Sequence, residues 1–290
     1  MEDVLEGKDT RRFLDWDQVV HMAEFGQDTM PGECRSSRED RSSGYGSGSN
    51  HWAGGTFEQG MEMAKNGWPE GTKKMLDVRD DVWARISDRI IDPQPVYDVC
   101  GAVPDVAAFL GGEPECMLRV EDEERVGTHG NVLEIVINIG ALSDVEAEEI
   151  NFRGAGIASI IDVLEQLGYY CNVTLVSRAT DYGGKCGIRY DIYLKGSSEP
   201  FDVDKFAFAV ISPAMLRRVI FSLRECENEE VRGEVGIKEC GGYGRSSEVS
   251  VEEGVLYFPL TYDLNSNEQV FDFVVKTLTD IGIEIGEGDE

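Results

Sequence analysis

The chain predicts an α/β domain over residues 131–285, built on a mixed, mostly parallel sheet flanked by helices, with a helical N-terminal extension. Three observations carry that expectation. Residues 132–138 are a near-continuous apolar run, as in a strand buried on both faces. Ile157, Ile160, Ile161, Leu164 and Leu167 recur at spacings of three and four, the period of a helix with one buried side. Residues 169–177 then return to strand character, so strand, helix and strand read as one βαβ crossover.

With 290 residues, 41% of them hydrophobic, the chain can build one large domain or two ordinary ones. It carries 56 acidic and 27 basic side chains, a net charge of -29. That field repels nucleic-acid phosphates and anionic lipid heads, so broad nucleic-acid binding and a membrane-surface role are not expected. Solubility is the plain reading of the charge; a cationic partner or an acidic, salt-rich habitat are the alternatives. No apolar run approaches the roughly 20 residues that span a bilayer. Residues 1–12 are charged and lack the apolar segment of a secretory signal. A cytoplasmic protein is therefore expected. The seven cysteines are odd in number and form no Cys-x-x-Cys, so neither a disulfide framework nor a thiolate zinc site is expected. His21, His51 and His129 are the only imidazoles.

The first element is a short helix over 16–25, with Trp16, Val19, Val20, Met22 and Ala23 as its apolar stripe. Residues 26–55 are rich in Gly and Ser and read as a flexible linker, because small polar residues cannot offset the entropy of ordering. Arg35, Arg38 and Arg41 form a local basic cluster there, a solvated one or a phosphate-binding one. Thr56 is a plausible N-cap for a helix that stops at Asn66-Gly67. A second helix starts at Trp68-Pro69 and runs to about residue 91, where Asp92-Pro93-Gln94-Pro95 breaks it. Trp52, Trp68 and Trp83 serve as packing anchors or, on the sharper reading, as a recognition surface. A short helix over 105–110 and a strand over 116–120 complete the extension. The expected organisation is a helical segment at 1–25, a linker at 26–55, the mainly helical extension at 56–130, the α/β domain and an acidic tail at 286–290.

Within the α/β domain, the acidic stretch 143–151 reads as a loop before a helix over 152–167, stopped by Gly168. Gly154 and Gly156 suit close helix–sheet contact; Ser159 in the third position removes the dinucleotide fingerprint, and no Gly-Lys-Ser or Gly-Lys-Thr loop exists. Residues 187–195 form the next strand, joined to the previous one by a turn over 178–186. Residues 206–210 are apolar and of undecided type. Ser212-Pro213 caps a helix through Leu223, with proline in the first turn. Arg217 and Arg218 point to adjacent sectors, one toward a buried carboxylate and one toward solvent. Residues 255–260 form a short strand, 267–281 the last helix, and Ile283 begins a terminal strand. Helices on both sides of the sheet are the economical arrangement.

Four stretches resemble an uncharacterised family of tailed bacteriophages and related viral genomes: Trp68-Pro69-Glu70-Gly71, Gly111-Gly112-Glu113-Pro114-Glu115-Cys116-Met117, Arg153-Gly154-Ala155-Gly156 and Pro213-Ala214-Met215-Leu216-Arg217-Arg218. That resemblance covers roughly residues 50–285. It implies a viral protein in host cytoplasm during infection, or in the virion, and transfers no activity. The α/β region also resembles a degenerate von Willebrand factor A-type domain. Such a domain binds a divalent ion after its first strand with Asp-x-Ser-x-Ser. The corresponding residues here are Asn138-Ile139-Gly140-Ala141-Leu142. A neutral amide, a missing side chain and an apolar side chain replace oxygen donors that a hard cation needs. Ser143 and Asp144 lie beside them.

The expected function is a non-catalytic protein-interaction or assembly module. Its surface combines Trp52 and Trp68 with Asn138, Ser143 and Asp144, and its partner is a protein. No catalytic residue and no cofactor is expected. The alternative is a metal-dependent hydrolase or nucleotide-processing enzyme. There Asp202 and Asp204, two residues apart, help hold Mg²⁺ or Mn²⁺, with Asp144, Glu146 and Asp181 as further carboxylates. Cys171 and Cys186 lack a histidine neighbour in sequence and make a weak nucleophile reading.

Overall fold

A computed structural model describes residues 8–26, 36–42, 48–86, 95–100, 103–120, 132–237, 242–260, 264 and 266–283. The N-terminal part comprises β1 (Lys8–Asp15), α1 (Trp16–Phe25), α2 (Asn50–Ala53), α3 (Phe57–Asn66) and α4 (Pro69–Ile86). A small unit follows, with β2 (Pro95–Asp98), β3 (Val103–Pro104), α5 (Val106–Gly111) and β4 (Met117–Val120). Then come β5 (Val132–Asn138), α6 (Ala147–Gln166), β6 (Tyr170–Thr180), β7 (Cys186–Lys195) and α7 (Val203–Phe206). Two π-helical segments, Ala207–Ile211 and Met215–Ile220, lead into α8 (Phe221–Glu225) and α9 (Glu229–Val235). β8 (Arg245–Ser246), β9 (Leu256–Phe258) and α10 (Asn267–Asp280) complete the described chain.

The main sheet has six strands in the order β1-β7-β6-β5-β9, with β8 pairing the far end of β6. β5 runs parallel to both β6 and β9, and β1 parallel to β7; the β6–β7 hairpin is antiparallel. The sheet is therefore mixed and mostly parallel, and α6 supplies the expected crossover between β5 and β6. Leu133, Ile135, Ile137, Cys171, Val173, Leu175, Ile188, Tyr190 and Ile192 alternate along their strands and join one buried core with α4, α6, α10 and the π-helical segments. The other face carries the exposed Phe13, Tyr170 and Tyr193. Among the described residues that face meets the segment around Ser247 and Tyr257, which bonds Arg178 and Asn138, rather than a helix. The sheet is flanked by helices as expected, and among the described residues these gather on the face of Ile135 and Ile137.

Several local differences have clear causes. β1 is a strand built largely of charges, and three of them have a distant partner. Asp9 accepts from Arg178 Nε at 2.7 Å, Arg11 Nε donates to Asp191 at 2.7 Å and Arg12 Nη2 donates to Glu227 at 2.9 Å. α6 starts at Ala147, inside the acidic stretch read as a loop, because Glu148 and Glu149 suit the positive end of a helix. Gly154 and Gly156 do permit close packing, but against helical neighbours instead of the sheet. A Cβ on Gly154 would lie 2.5 Å from the Val210 carbonyl oxygen, and one on Gly156 3.1 Å from Val270 Cγ1. Residues 206–210 are helical, ending α7 and filling most of the first π-helical segment. Ser212 Oγ accepts from the Ala214 amide at 3.3 Å, as its capping role requires.

Part of the interval 26–55 lies outside the described residues; of the rest, Ser37, Ser49, Trp52 and Ala53 are buried. The Ser37 amide and hydroxyl donate to Glu225 at 3.0 and 2.6 Å. Ile283 stands in no strand, and the tail at 286–290 lies outside the described residues. No single helix among the described residues is long and apolar enough to cross a membrane.

Candidate functional site

The carboxyl end of β5 is the position where the sequence places a weakened metal motif. Asn138 is buried there; its Oδ1 accepts from the Gly140 amide at 3.1 Å, and its Nδ2 donates to the Ser247 carbonyl and the Tyr257 hydroxyl, both at 3.1 Å. From α6, the buried Arg153 Nη2 donates to the carbonyls of Asn138 (3.1 Å), Phe258 (3.2 Å) and Pro259 (2.7 Å). A guanidinium thus bridges the ends of β5 and β9. Among the described residues the donor set fits Mg²⁺ poorly: the Asn138 amide oxygen and the Tyr257 hydroxyl are neutral and already bonded, the Glu248 carboxylate is engaged by Tyr257 and the Leu260 amide, and a fixed positive charge opposes a second cation. Burial pushes the Tyr257 hydroxyl up to about 12, so it stays a neutral hydrogen-bond donor.

The carboxylates named for metal chemistry do not gather into one cluster. Asp144 is exposed in the turn after β5. Glu146 precedes α6, its amide donating to Glu149 at 2.8 Å. Asp181 folds the β6–β7 turn, accepting from the amides of Gly183, Lys185 and Cys186; the Cys186 bond is the main reason its carboxyl is held below the usual range. Asp202 caps α7 through the Lys205 amide at 3.0 Å, and Asp204 accepts from the Thr72 hydroxyl. Asp202 and Asp204 share a hollow with Asp15, Asp17 and Glu199. No group of three or more His, Cys, Asp or Glu side chains among the described residues is arranged to hold a metal. Cys171 is buried and its thiol is pushed up to about 12 by desolvation, the opposite of an activated nucleophile.

A crevice of about 500 Å³ opens at the carboxyl ends of β5 and β6, where α/β sheets commonly place ligands. Trp52 and Ser143 meet in its wall, with the indole Nε1 donating to the Ser143 carbonyl at 2.9 Å. The Arg217 guanidinium lies over the Trp52 ring, 3.9 Å from its centre. Trp68 does not join them; it sits over Gly71 beside Asp204. Neither arginine of the pair behaves as expected. Both are buried, and Arg217 donates to the carbonyls of Trp52, Leu142 and Val145, while Arg218 donates to those of Gly55, Ser37 and Glu39 and to Asn50 Oδ1. Phe221 stacks on Tyr243 at 3.9 Å and 13°, and Arg224 and Arg245 also line the crevice. The last four residues were not singled out from the sequence. Their signal was Arg224 in an apolar helix, and Gly242, Tyr243 and Gly244 just before Arg245.

A second surface belongs to the small unit. β2, β4 and β3 form an antiparallel sheet, and Asp105 caps α5 through the amides of Ala107 and Ala108. No residue of α5 is buried. Val106, Phe109 and Leu110, at spacings that share one helical side, are 62, 66 and 79% exposed. Tyr97 and Val99 at the end of β2 are exposed as well.

The model of one family, described as a domain of unknown function (DUF7192), matches residues 7–285. No curated protein and no solved structure matches the chain.

Proposed function

The chain belongs to the DUF7192 family, and from that premise we propose that it is a non-catalytic protein-interaction module. The observation that carries this reading is the bare apolar side of α5. Contiguous exposed apolar groups are costly in water and mark surfaces that another molecule covers. Phe109 and Leu110 supply the anchor types that dominate protein interfaces once desolvated. The guanidinium-closed end of β5 supports the same reading, since it opposes a hydrolytic metal there. Asp202 and Asp204 already serve as helix cap and interhelical tie, which weakens the hydrolase alternative. Trp52, Ser143 and Asp144 form a second, more polar contact region on this reading. The setting is viral, in host cytoplasm or the virion, and the core is a degenerate von Willebrand factor A-type domain; both rest on the sequence resemblances.

The test is crosslinking in the native host with the wild-type chain and with a Phe109→Glu, Leu110→Ser variant. The wild type is expected to give one reproducible partner, and the variant to lose it by about tenfold or more while keeping its circular dichroism and melting temperature. Equal recovery by a folded variant would refute the α5 surface.

A further inference from the structure

We infer that the crevice at the carboxyl ends of β5 and β6 binds a free nucleotide, with Arg224 and Arg245 receiving its phosphate and the aromatic wall its base. This inference goes beyond partner docking at α5 and does not depend on it. Sixteen of the described residues line the crevice, and none of these is Asp or Glu, although the chain has 56 acidic side chains. Three are arginines. A cationic hollow in so acidic a protein is a local departure from its overall field. At physiological salt that field is screened within roughly 8 Å, so an entering phosphate is governed by the arginines it touches.

Arg224 is the central observation. It is 1% exposed, and it donates only to the Tyr243 carbonyl (2.9 Å) and to Ser177 Oγ (2.8 Å). Its Nε is buried without a partner. A guanidinium has five N–H donors, so most of its capacity is unspent, and among the described residues it forms no ion pair with a carboxylate; Glu225 and Glu227 bond the neighbouring Tyr243 and Tyr190 hydroxyls instead. Burial alone lowers its pKa to about 10, still charged at neutral pH. A buried, uncompensated cation is costly, and a bound anion is the direct remedy. Arg245 is exposed and makes no ion pair among the described residues, which leaves it available at the mouth. Arginine forks match phosphate oxygens. The stacked Phe221–Tyr243 pair and the exposed Tyr182 supply flat apolar surface beside the cations, which suits a base more than a plain anion. The volume of about 500 Å³ lies within the range of ordinary small-molecule sites.

The experiment is calorimetric titration of the full chain, at about 0.15 M salt, with the four ribonucleoside monophosphates, the matching nucleosides, inorganic phosphate and a 5′-phosphorylated oligonucleotide. At least one monophosphate is expected to bind one to one. Its nucleoside and inorganic phosphate should each bind at least about tenfold more weakly. Arg245→Glu should weaken the monophosphate by about tenfold or more, and its exposed position leaves the melting temperature unchanged. Any of four results overturns the inference. These are no binding by any monophosphate, undiminished binding by a folded Arg245→Glu chain, phosphate binding as tightly as nucleotide, or the oligonucleotide binding more tightly than every monophosphate. Loss of the α5 partner in the Phe109→Glu, Leu110→Ser chain bears on none of these, so the two proposals fail separately.

Discussion

Arg218→Ala is expected to destabilise the fold by about 3–4 kcal/mol, read as a lower urea midpoint at unchanged slope. The side chain is buried and reaches three carbonyls and one amide oxygen: Gly55 at 2.9 Å, Ser37 at 2.8 Å, Glu39 at 3.1 Å and Asn50 Oδ1 at 2.7 Å. These acceptors belong to two stretches of chain, 37–39 and 50–55, that otherwise have few apolar side chains to bury. The Arg218 guanidinium, beside Arg217 on Trp52, therefore ties both stretches to the second π-helical segment. Truncation strands several acceptors at once, each worth about 1–3 kcal/mol when left unsatisfied, and partial relaxation keeps the total below their sum. Arg218→Lys keeps the charge but loses the planar fork, so it should recover only part of the stability. If lysine were as good as arginine, charge rather than geometry would hold these segments. Hydrogen exchange should show the loss first in residues 36–42 and 49–56.

Gly154→Ala is expected to cost about 3 kcal/mol or more, despite alanine being the better helix former by about 1 kcal/mol. The new Cβ would lie 2.5 Å from Val210 O, 2.7 Å from Ile211 Cα and 2.9 Å from Val210 C. All three are backbone atoms of a π-helical segment packed on both sides, and none has a rotamer to change. Gly156→Ala makes the contrast. Its Cβ would meet side-chain atoms of Val270 and Phe273 at 3.1 and 3.3 Å, which give by small rotations. That variant should fall within about 1 kcal/mol of the wild type. Equal behaviour of the two alanine variants would show that α6 does not approach residues 210–211 as described.

Much of the core was legible because its residues obey one period each. β5, β6, β7, α3, α10 and the crossover helix all follow apolar patterns that the chain states openly. What was not legible has physical causes. β1 pairs its charges with Arg178, Asp191 and Glu227, residues more than 150 positions away, so nothing local marks it as a strand. Residues 207–211 are buried on every side, and an element apolar all round shows no helical stripe, whereas the helix after Ser212-Pro213 was read. Arginine in such a stretch suggests a solvent-facing side, yet Arg217 and Arg218 turn inward to carbonyls of distant loops. At the end of β5, the scarcity of oxygen donors in Asn138-Ile139-Gly140-Ala141-Leu142 was readable; the guanidinium of Arg153 reaching that end from α6 was not. The crevice is assembled from six separated stretches around residues 52, 142, 181, 221, 235 and 243, so no motif announces it. The apolar side of α5 was read as ordinary helix because a sequence does not show which apolar residues stay uncovered.

The same physical point joins these observations: in a carboxylate-rich chain, guanidinium groups stand at the carboxyl end of β5 and in the crevice beside it. Calorimetric titration of the full chain with Mg²⁺, at about 0.5 M KCl to screen diffuse binding, tests this most directly. No saturable one-site heat is expected, from the wild type or from an Asp202→Ala, Asp204→Ala chain. A saturable one-to-one site in the wild type, lost on substituting Asn138 or the Asp202–Asp204 pair in a folded chain, would contradict the account.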